Sequence, residues 1–277
     1  MNNPTKIPIL SLNIDPLTIS EANNAIAEFV RKPQKISAIV IKPYVEFLVA
    51  ASKDLQITRE LNKADLCIAD GVSLQWAASF LYGQPNNKRF LKVPRSGLRW
   101  LQDPVWRAQV IPEKMAGATQ TADLLRMAEK NGWKVGILGG LNSPSEIQKA
   151  IKQRFPKLNS IKTWSGFYEP SSEQSLVTDI AANKLDILFV AMGFPRQENF
   201  MFRHKHAHLA KVMIGEGGTF DYEQMGGPIR RSPIWMQKSG TEWLWRLARQ
   251  PKRFRRQLAI PRFVWAVKRQ SKLPRKF

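Results

Sequence analysis

Cysteine is almost absent from this chain of 277 residues. The single cysteine, Cys67, has no partner for an intrachain disulfide, which excludes the small disulfide-stabilised domains of secreted proteins. It lies in a short apolar run, residues 66–69, that is typical of a buried strand. We therefore expect a protein of the reducing cytoplasm.

Long hydrophobic runs are missing as well. The first residues, MNNPTKIPILSLNIDP, contain no apolar segment of the length found in signal peptides. No stretch of the chain reaches the roughly 18 to 20 consecutive apolar residues that a membrane-spanning helix needs. The sequence thus predicts a protein that is neither exported nor transmembrane.

Acidic residues are outnumbered, with 22 Asp and Glu against 43 Lys and Arg, and the formal net charge is +21 at pH 7. Most of the excess lies at one end, because residues 230–277 contain 15 basic residues and one acidic residue, Glu242. We therefore divide the chain into a main α/β domain, residues 1–227, and a basic appendage, residues 228–277. Such a positive field attracts the phosphates of nucleotides, nucleic acids or anionic lipids.

Aromatic residues alternate with the cations of the appendage, among them Trp235, Trp243 and Trp265. Pro251 and Pro261 divide it into short helices. This mixture is typical of segments that lie in a bilayer interface, so we expect an anionic membrane surface, and no nucleic acid, as the partner. Two alternatives stay open: a solvated face whose aromatics pack on the main domain, and a nucleic-acid-binding surface.

The main domain alternates between two kinds of apolar pattern. Short runs rich in β-branched residues predict strands, and stretches of helical periodicity between most of them predict helices. The alternation favours an α/β fold with a mostly parallel, Rossmann-like, doubly wound sheet and a basic helical C-terminal appendage. The predicted strands are residues 7–12, 36–41, 66–69, 134–138, 161–164, 187–191 and 212–214, and the predicted helices are residues 19–30, 74–81, 122–130, 145–154 and 172–183.

Residues 83–112 interrupt the alternation. They contain several prolines, several basic residues and two tryptophans, Trp100 and Trp106, which does not fit a sheet strand. Structureless segments of this length are uncommon unless they are functional, so we interpret this one as a long insertion or lid.

Ligands of parallel α/β sheets bind outside the carboxyl ends of the strands, so the residues that follow each strand form the candidate site. Asp70 follows residues 66–69 and can act as a general base, although an aspartate here can also cap the next helix. Gly139 and Gly140 follow residues 134–138 and precede a helix start. Their N–H groups could hold a diphosphate, or the pair could form only a tight turn.

Polar residues also follow the last two predicted strands, in GFPRQE (193–198) and GEGGTFD (215–221). Gly218 would let a ligand approach the backbone closely. The first segment puts an arginine, the Gln197 amide and the Glu198 carboxylate at one strand-to-helix junction, and Asp221 could accept hydrogen bonds from ribose hydroxyls or a base edge. Together the two segments favour a substrate-binding site.

No metal or cofactor is predicted. Asp-x-Asp, the usual carboxylate clamp for a nucleotide-bound divalent ion, does not occur in the chain. His204, His206 and His208 are close in sequence, but in a helix only the first and third share a face, and no cysteine or carboxylate completes a tetrahedral set. Cationic side chains must then stabilise any departing diphosphate.

Taken in order, several segments resemble the WecG/TagA/CpsF glycosyltransferases, also called glycosyltransferase family 26. The resemblance extends over nearly the whole chain, and the conjunction of three motifs, GFPRQE, GGTFD and EWLWRL, is highly specific. The matching stretches are ADLCIADGV (64–72), GFPRQE (193–198), GGTFD (217–221), RSP (231–233), EWLWRL (242–247) and PKRFRR (251–256).

The resemblance implies an inverting, metal-independent transfer of N-acetylmannosamine, its uronic acid or a similar sugar from a UDP-sugar donor. The implied acceptor is a polyprenyl-diphosphate-linked sugar used in surface polysaccharide or teichoic acid linkage synthesis, at the inner face of the cell membrane. Asp70 matches the family's proposed base. The other matched residues are Arg246, Arg253 and Arg256, thought to close over the donor diphosphate, and Gln197 and Asp221, in the donor site.

The chain departs from the family pattern after the second predicted strand. Lys42-Pro43-Tyr44 stands where the family commonly has Thr-x-Asn, residues that face the donor sugar in relatives. Lys42 and Tyr44 are therefore candidate substrate contacts. A lysine here could favour an acidic sugar such as a uronic acid, or it could mark an inactive member kept as an interaction protein. Residues 114–119 (KMAGAT) also lack the aspartate expected there.

Overall fold

The computed structural model describes residues 5–33, 35–83, 93–113, 115–239, 241–251, 254 and 258–273. Eight strands alternate with helices along these residues. The strands are β1 (Ile7–Ile9), β2 (Leu12–Ile14), β3 (Ala38–Ile41), β4 (Leu66–Cys67), β5 (Lys134–Gly139), β6 (Ser160–Trp164), β7 (Leu185–Ala191) and β8 (Ala210–Gly215). The last six form one parallel sheet in the order β4-β3-β8-β7-β5-β6.

The helices begin where the sequence carries start signals. Thr18 and Ser143 each close a capping box with the glutamate three residues later, which fixes the starts of the first and eighth helices. The helices are α1 (Ile19–Arg31), α2 (Val45–Ala51), α3 (Leu55–Leu61), α4 (Val72–Tyr82), α5 (Val93–Gln102), α6 (Pro104–Ala108), α7 (Gly117–Asn131), α8 (Pro144–Arg154), α9 (Glu173–Ala182), α10 (Arg196–Arg203), α11 (Ile234–Ser239), α12 (Glu242–Arg249) and α13 (Ala259–Gln270).

Helices cover both faces of the sheet. One hydrophobic core contains Ile26 of α1 and Leu124 of α7, and the other contains Phe47 of α2 and Leu74 of α4. The central strand β7 is buried along almost its whole length because it has packed neighbours on both faces. The predicted α/β, Rossmann-like fold is therefore confirmed.

The predicted strand at residues 7–12 is wrong in its extent. Leu10 adopts a left-handed backbone conformation (φ 53°), and the chain turns back there so that β1 and β2 form a separate antiparallel hairpin. The apolar run continued through the turn, so periodicity alone did not mark it. The sequence reading also missed α2 and α3, whose residues were assigned to no element.

The described part of the predicted insertion, residues 93–112, contains α5 and α6. Trp100 and Trp106 are buried between them, and each carries an arginine of the opposite helix over its ring, Arg107 and Arg99 respectively. Residues 84–92 lie outside the described part of the chain.

The basic appendage contains α11, α12 and α13. Phe263 and Val267 of α13 are fully buried in the core shared with α2 and α4, so this helix packs on the main domain. Trp235 and Trp265 point to solvent, with 66% and 63% of their surface exposed. Across the described residues, no helix combines the length and apolarity needed to cross a membrane.

Candidate active site

A cavity of about 1070 Å³ opens at the carboxyl edge of the sheet. Its walls include the segments that follow all six strands of the parallel sheet, and α12 of the appendage closes one side. This is the edge at which the sequence placed the site.

Asp70 lines the cavity. Its backbone N–H donates to the Pro43 carbonyl (3.0 Å), which extends the pairing of β3 and β4 by one step. The helix that follows has Gly71 as its N-cap, with φ of +83°, and no side chain caps it. The alternative of Asp70 as a helix cap is therefore wrong, and its carboxylate faces the cavity.

The environment of Asp70 favours a base near neutral pH. Burial is the main effect and raises the pKa of Asp70 to about 6, while the nearby Lys42 lowers this pKa. Glu216 and Glu242 add to the rise, and Arg246 opposes it. A base whose pKa lies close to the working pH suits proton abstraction from a hydroxyl.

Lys42 forms a buried ion pair beside Asp70. Its Nζ lies 2.6 Å from Oε1 of Glu216, and the hydroxyl of Thr121 donates to the other oxygen of Glu216 (2.6 Å). Both charged side chains are almost fully buried, with 4% and 0% of their surface exposed. Because Glu216 neutralises the charge of Lys42, the sequence-based argument for an acidic donor sugar loses its support. Tyr44 lines the same part of the cavity.

Gln197 ties two walls together. Its Oε1 accepts hydrogen bonds from the N–H groups of Gly193 (3.1 Å) and Gly217 (2.9 Å), which follow β7 and β8. Its Nε2 donates to Oε1 of Glu198 (2.7 Å). Glu198 does not line the cavity but lies behind Gln197, so its predicted contact with substrate does not fit its position.

Gly139 and Gly140 line the cavity, but their expected anion-binding geometry is missing. The Gly140 N–H donates to the carbonyl of Ala191 (3.2 Å), and the N-terminus of α8 is closed by its own capping box. Both glycines have positive φ, 113° and 100°, and a Cβ on Gly139 would overlap the backbone of Ala191. The tight-turn alternative therefore fits better than the diphosphate cradle.

Arg246 reaches into the cavity from α12. Its Nη2 donates to the carbonyl of Gly218 (3.1 Å) and to Oδ2 of Asp221 (3.3 Å), and its guanidinium lies 4.8 Å from the ring centre of Tyr222. Its Nε is buried and has no hydrogen-bond partner within the described chain. An anionic ligand in the cavity could accept this bond.

Arg231 and Glu242 join the same wall. Arg231 lies 3.3 Å from Glu242, donates to Thr119 (3.0 Å), and the hydroxyl of Tyr222 also donates to Glu242 (3.0 Å). Sequence reading did not assign roles to these residues or to Glu216. Arg231 and Glu242 were signalled only by their position within the family-like stretches, and Glu216 only by its position in the polar segment after the last strand.

The cavity brings together most of the predicted site residues. Arg253 and Arg256 lie outside the described residues, and Glu198 lies behind the wall. The predicted residues that line the cavity are Lys42, Tyr44, Asp70, Gly139, Gly140, Gln197, Gly218, Asp221 and Arg246. His204 lies 2.7 Å from a carboxylate oxygen of Glu173. Within the described ranges, no three His, Cys, Asp or Glu side chains cluster as metal ligands.

A comparison with protein-family models agrees with these features. The model described as the Glycosyl transferase WecG/TagA/CpsF family matches residues 7–94 and 96–277, which include every segment that lines the cavity. This match covers nearly the whole chain, so the chain belongs to the WecG/TagA/CpsF family of glycosyltransferases.

Proposed function

We propose that this glycosyltransferase is inverting and metal-independent. In this proposal it transfers a sugar from a UDP-sugar to a polyprenyl-diphosphate-linked acceptor for a cell-surface polysaccharide. The observation that carries the proposal is that a carboxylate, Asp70, and a guanidinium, Arg246, line one cavity.

The two side chains suit a single displacement. Asp70 takes the proton of the acceptor hydroxyl, and the hydroxyl oxygen forms the new bond to the anomeric carbon as the bond to the diphosphate breaks. UDP leaves with the bonding electron pair, and Arg246 stabilises the charge that develops on it. Attack opposite the leaving group inverts the anomeric configuration. No step of this scheme requires a metal ion.

The donor is an N-acetylmannosamine nucleotide or a close relative. The cavity volume of about 1070 Å³ is sufficient for a nucleotide sugar. Pairing of Lys42 with Glu216 supports a neutral sugar over a uronic acid, because the lysine charge is already compensated. We assign Tyr44 to the sugar and Asp221 to the nucleotide portion.

In this proposal the enzyme meets its lipid-linked acceptor at the anionic inner face of the cell membrane. Support comes from the charge of residues 228–277 and from the exposed indoles of Trp235 and Trp265. Each basic residue near an anionic surface adds about 1 kcal/mol, and indoles settle at the headgroup level. In this proposal residues 1–227 carry the chemistry, and residues 228–277 bind the membrane and complete the site.

The catalytic proposal is tested with Asp70→Asn. Turnover of UDP-N-acetylmannosamine with a polyprenyl-diphosphate-linked acceptor should fall by about 10²-fold or more, while donor binding by calorimetry stays nearly unchanged. Asp123→Asn, at an exposed pair with Arg126 on α7, is the matched control. Near-wild-type turnover of the Asp70 variant would refute the assignment. Activity should also survive excess EDTA, and loss that magnesium restores would refute metal independence.

The membrane proposal needs full-length protein, because removal of α13 would take Phe263 and Val267 out of the core. We expect the double variant Trp235→Ser, Trp265→Ser to float less with anionic vesicles than wild type. Leu55→Ser, at least as exposed (74%) but on α3 of the main domain, is the control. Equal flotation of all three proteins would contradict the proposal.

An inactive interaction protein is the second candidate, favoured by Lys42 in place of the family's small polar residue. The test is an assay of purified protein with UDP-sugar in the presence of vesicles. Binding of the UDP-sugar without transfer or hydrolysis would establish this candidate instead.

A further inference from the structure

Lys42 lines the cavity, but the proposed reaction does not use it. It follows β3 directly, and β3 lies between β4, which precedes Asp70, and β8, which precedes Glu216. The sheet order therefore brings three charged side chains, 174 residues apart at the extremes, to neighbouring strand ends. Position 42 therefore lies between the strand ends that lead to Asp70 and to Glu216.

The ion pair is fixed from several sides. Glu216 is held through its backbone, whose N–H donates to the carbonyl of Val190 (2.8 Å), and through its second oxygen by Thr121 of α7. Lys42 is 5% exposed and is therefore unable to swing into solvent. Breaking one partner of a buried pair leaves an uncompensated charge, which is strongly unfavourable. Neither side chain can be recruited by a substrate without that cost.

We propose that Lys42, held in place by its buried ion pair with Glu216, is a positioning residue that keeps the Asp70 carboxylate ionised, and that Lys42 does not contact the donor sugar. The inference rests on the proposed role of Asp70 as the base. It also gives a reason why a lysine is compatible with activity at a position where the family pattern has a small polar residue.

Other charges face Asp70 from the appendage. Glu242 and Arg246 of α12 act on it in opposite directions, and each has its own partner, Arg231 and Asp221 respectively. Glu46 of α2 lines the same cavity. Among the cations that favour ionised Asp70, Lys42 has the largest effect and is the one attached directly to the sheet.

The size of the effect follows from the titration of Asp70. With a pKa of about 6, about nine-tenths of Asp70 is ionised at pH 7. A nearby opposite charge shifts a carboxyl pKa by about 1 unit or more. A rise of about 1 unit would leave about half of Asp70 ionised at pH 7 and about a tenth at pH 6.

The test compares Lys42→Met with Glu216→Gln in the full-length protein. In Lys42→Met, Asp70 loses the nearby cation, so the pKa of Asp70 should rise. In Glu216→Gln the lysine remains unpaired beside Asp70, and the pKa of Asp70 should fall. The double variant, Lys42→Met with Glu216→Gln, should show the same Asp70 pKa as Lys42→Met. It contains no unpaired buried charge from this ion pair, so it keeps the test valid if Lys42→Met alone does not fold. Lys42→Arg keeps the positive charge, so the pKa of Asp70 should stay close to its wild-type value.

Two measurements are made on each variant. The pKa of Asp70 is measured without substrate from the carboxyl carbon signal of 13C-labelled aspartate, assigned with Asp70→Asn. The acid limb of kcat/KM is then measured against pH with UDP-N-acetylmannosamine. We expect shifts of about 1 unit in opposite directions for the two single variants, in both measurements.

The outcomes separate the inference from the proposed function. An Asp70 pKa unchanged in all variants, or a tenfold higher KM for the donor in Lys42→Met without a change in the pH profile, would overturn the inference. A carbon signal that shifts as expected, with an acid limb that does not follow it, supports the pair but refutes Asp70 as the base.

Discussion

Glu198 gives a prediction that links the site to the stability of the fold. Its side chain is buried, with Oε1 accepting from Gln197 and Oε2 without a hydrogen-bond partner in the described structure. Burial raises the pKa of Glu198 from its ordinary 4.5 to about 8. The folded protein therefore holds a proton on Glu198 at pH 7 that the unfolded chain has released.

The sign of the pH dependence follows directly. Between pH 4.5 and about pH 8 the folded state binds more protons than the unfolded state, so stability falls as pH rises. The two pKa values differ by about 3.5 units, and each unit is worth about 1.4 kcal/mol. Glu198 therefore lowers the free energy of unfolding by about 5 kcal/mol above pH 8 and has no such effect well below pH 4.5. Glu198→Gln replaces the neutral acid with an amide of the same shape and should remove this loss.

The assay is urea unfolding followed by tryptophan fluorescence from pH 3 to pH 9. Glu198→Gln should become more stable than wild type as pH rises, by about 3 to 5 kcal/mol at pH 8.5. Glu173→Gln is the control of opposite sign. Burial opposes the shift, but hydrogen bonds from His204 and Arg203 lower the pKa of Glu173, so this variant should lose stability near neutral pH and recover relative to wild type as pH falls below 4.5. A difference between Glu198→Gln and wild type that stays flat with pH would refute the reasoning.

Three further predictions concern single positions. Gly218→Ala should affect turnover more strongly than it affects thermal stability (Tm), because the added Cβ would overlap the side chains of Arg246 and Asp221. The control Gly97→Ala, in open space on α5, should leave turnover unchanged. Native protein should not react with a thiol reagent at pH 8 until it unfolds, because Cys67 is buried and burial raises the pKa of its thiol; rapid labelling of folded protein would contradict this. Thr18→Ala should lower the free energy of unfolding by about 1 kcal/mol in urea titration, since it removes the capping box of α1; no measurable change would show that the cap is redundant.

The parts of the fold that local patterns encode could be predicted from the sequence. Alternating strands and helices follow from two apolar periodicities, and the helix starts at Thr18 and Ser143 follow from capping-box spacing. The hairpin of β1 and β2 escaped prediction because Leu10 is apolar and gives no turn signal. Asp70 could be placed in the site because it follows a strand, and every strand of a parallel sheet ends at the same edge.

Local sequence patterns could not predict the direction in which a side chain points. Gln197 and Glu198 are adjacent in sequence, yet Gln197 lines the cavity and Glu198 lies behind it. Gly215 permits this packing, because a Cβ there would crowd the side chains of both residues. Gly139 and Gly140 likewise gave an ambiguous signal, and the hydrogen bond from Gly140 to Ala191 decided for a turn.

The sequence by itself determined the fold class, the edge of the sheet that holds the site and the separation of charge between the main domain and the appendage, because each depends on composition or short-range spacing. The tertiary structure alone decided that Lys42 pairs with Glu216 and that Arg246 meets Asp221. Both pairs depend on strand order and on the packing of α12 across the sheet edge. Those contacts join residues far apart in sequence, and they form only when long-range burial brings the strands and helices together.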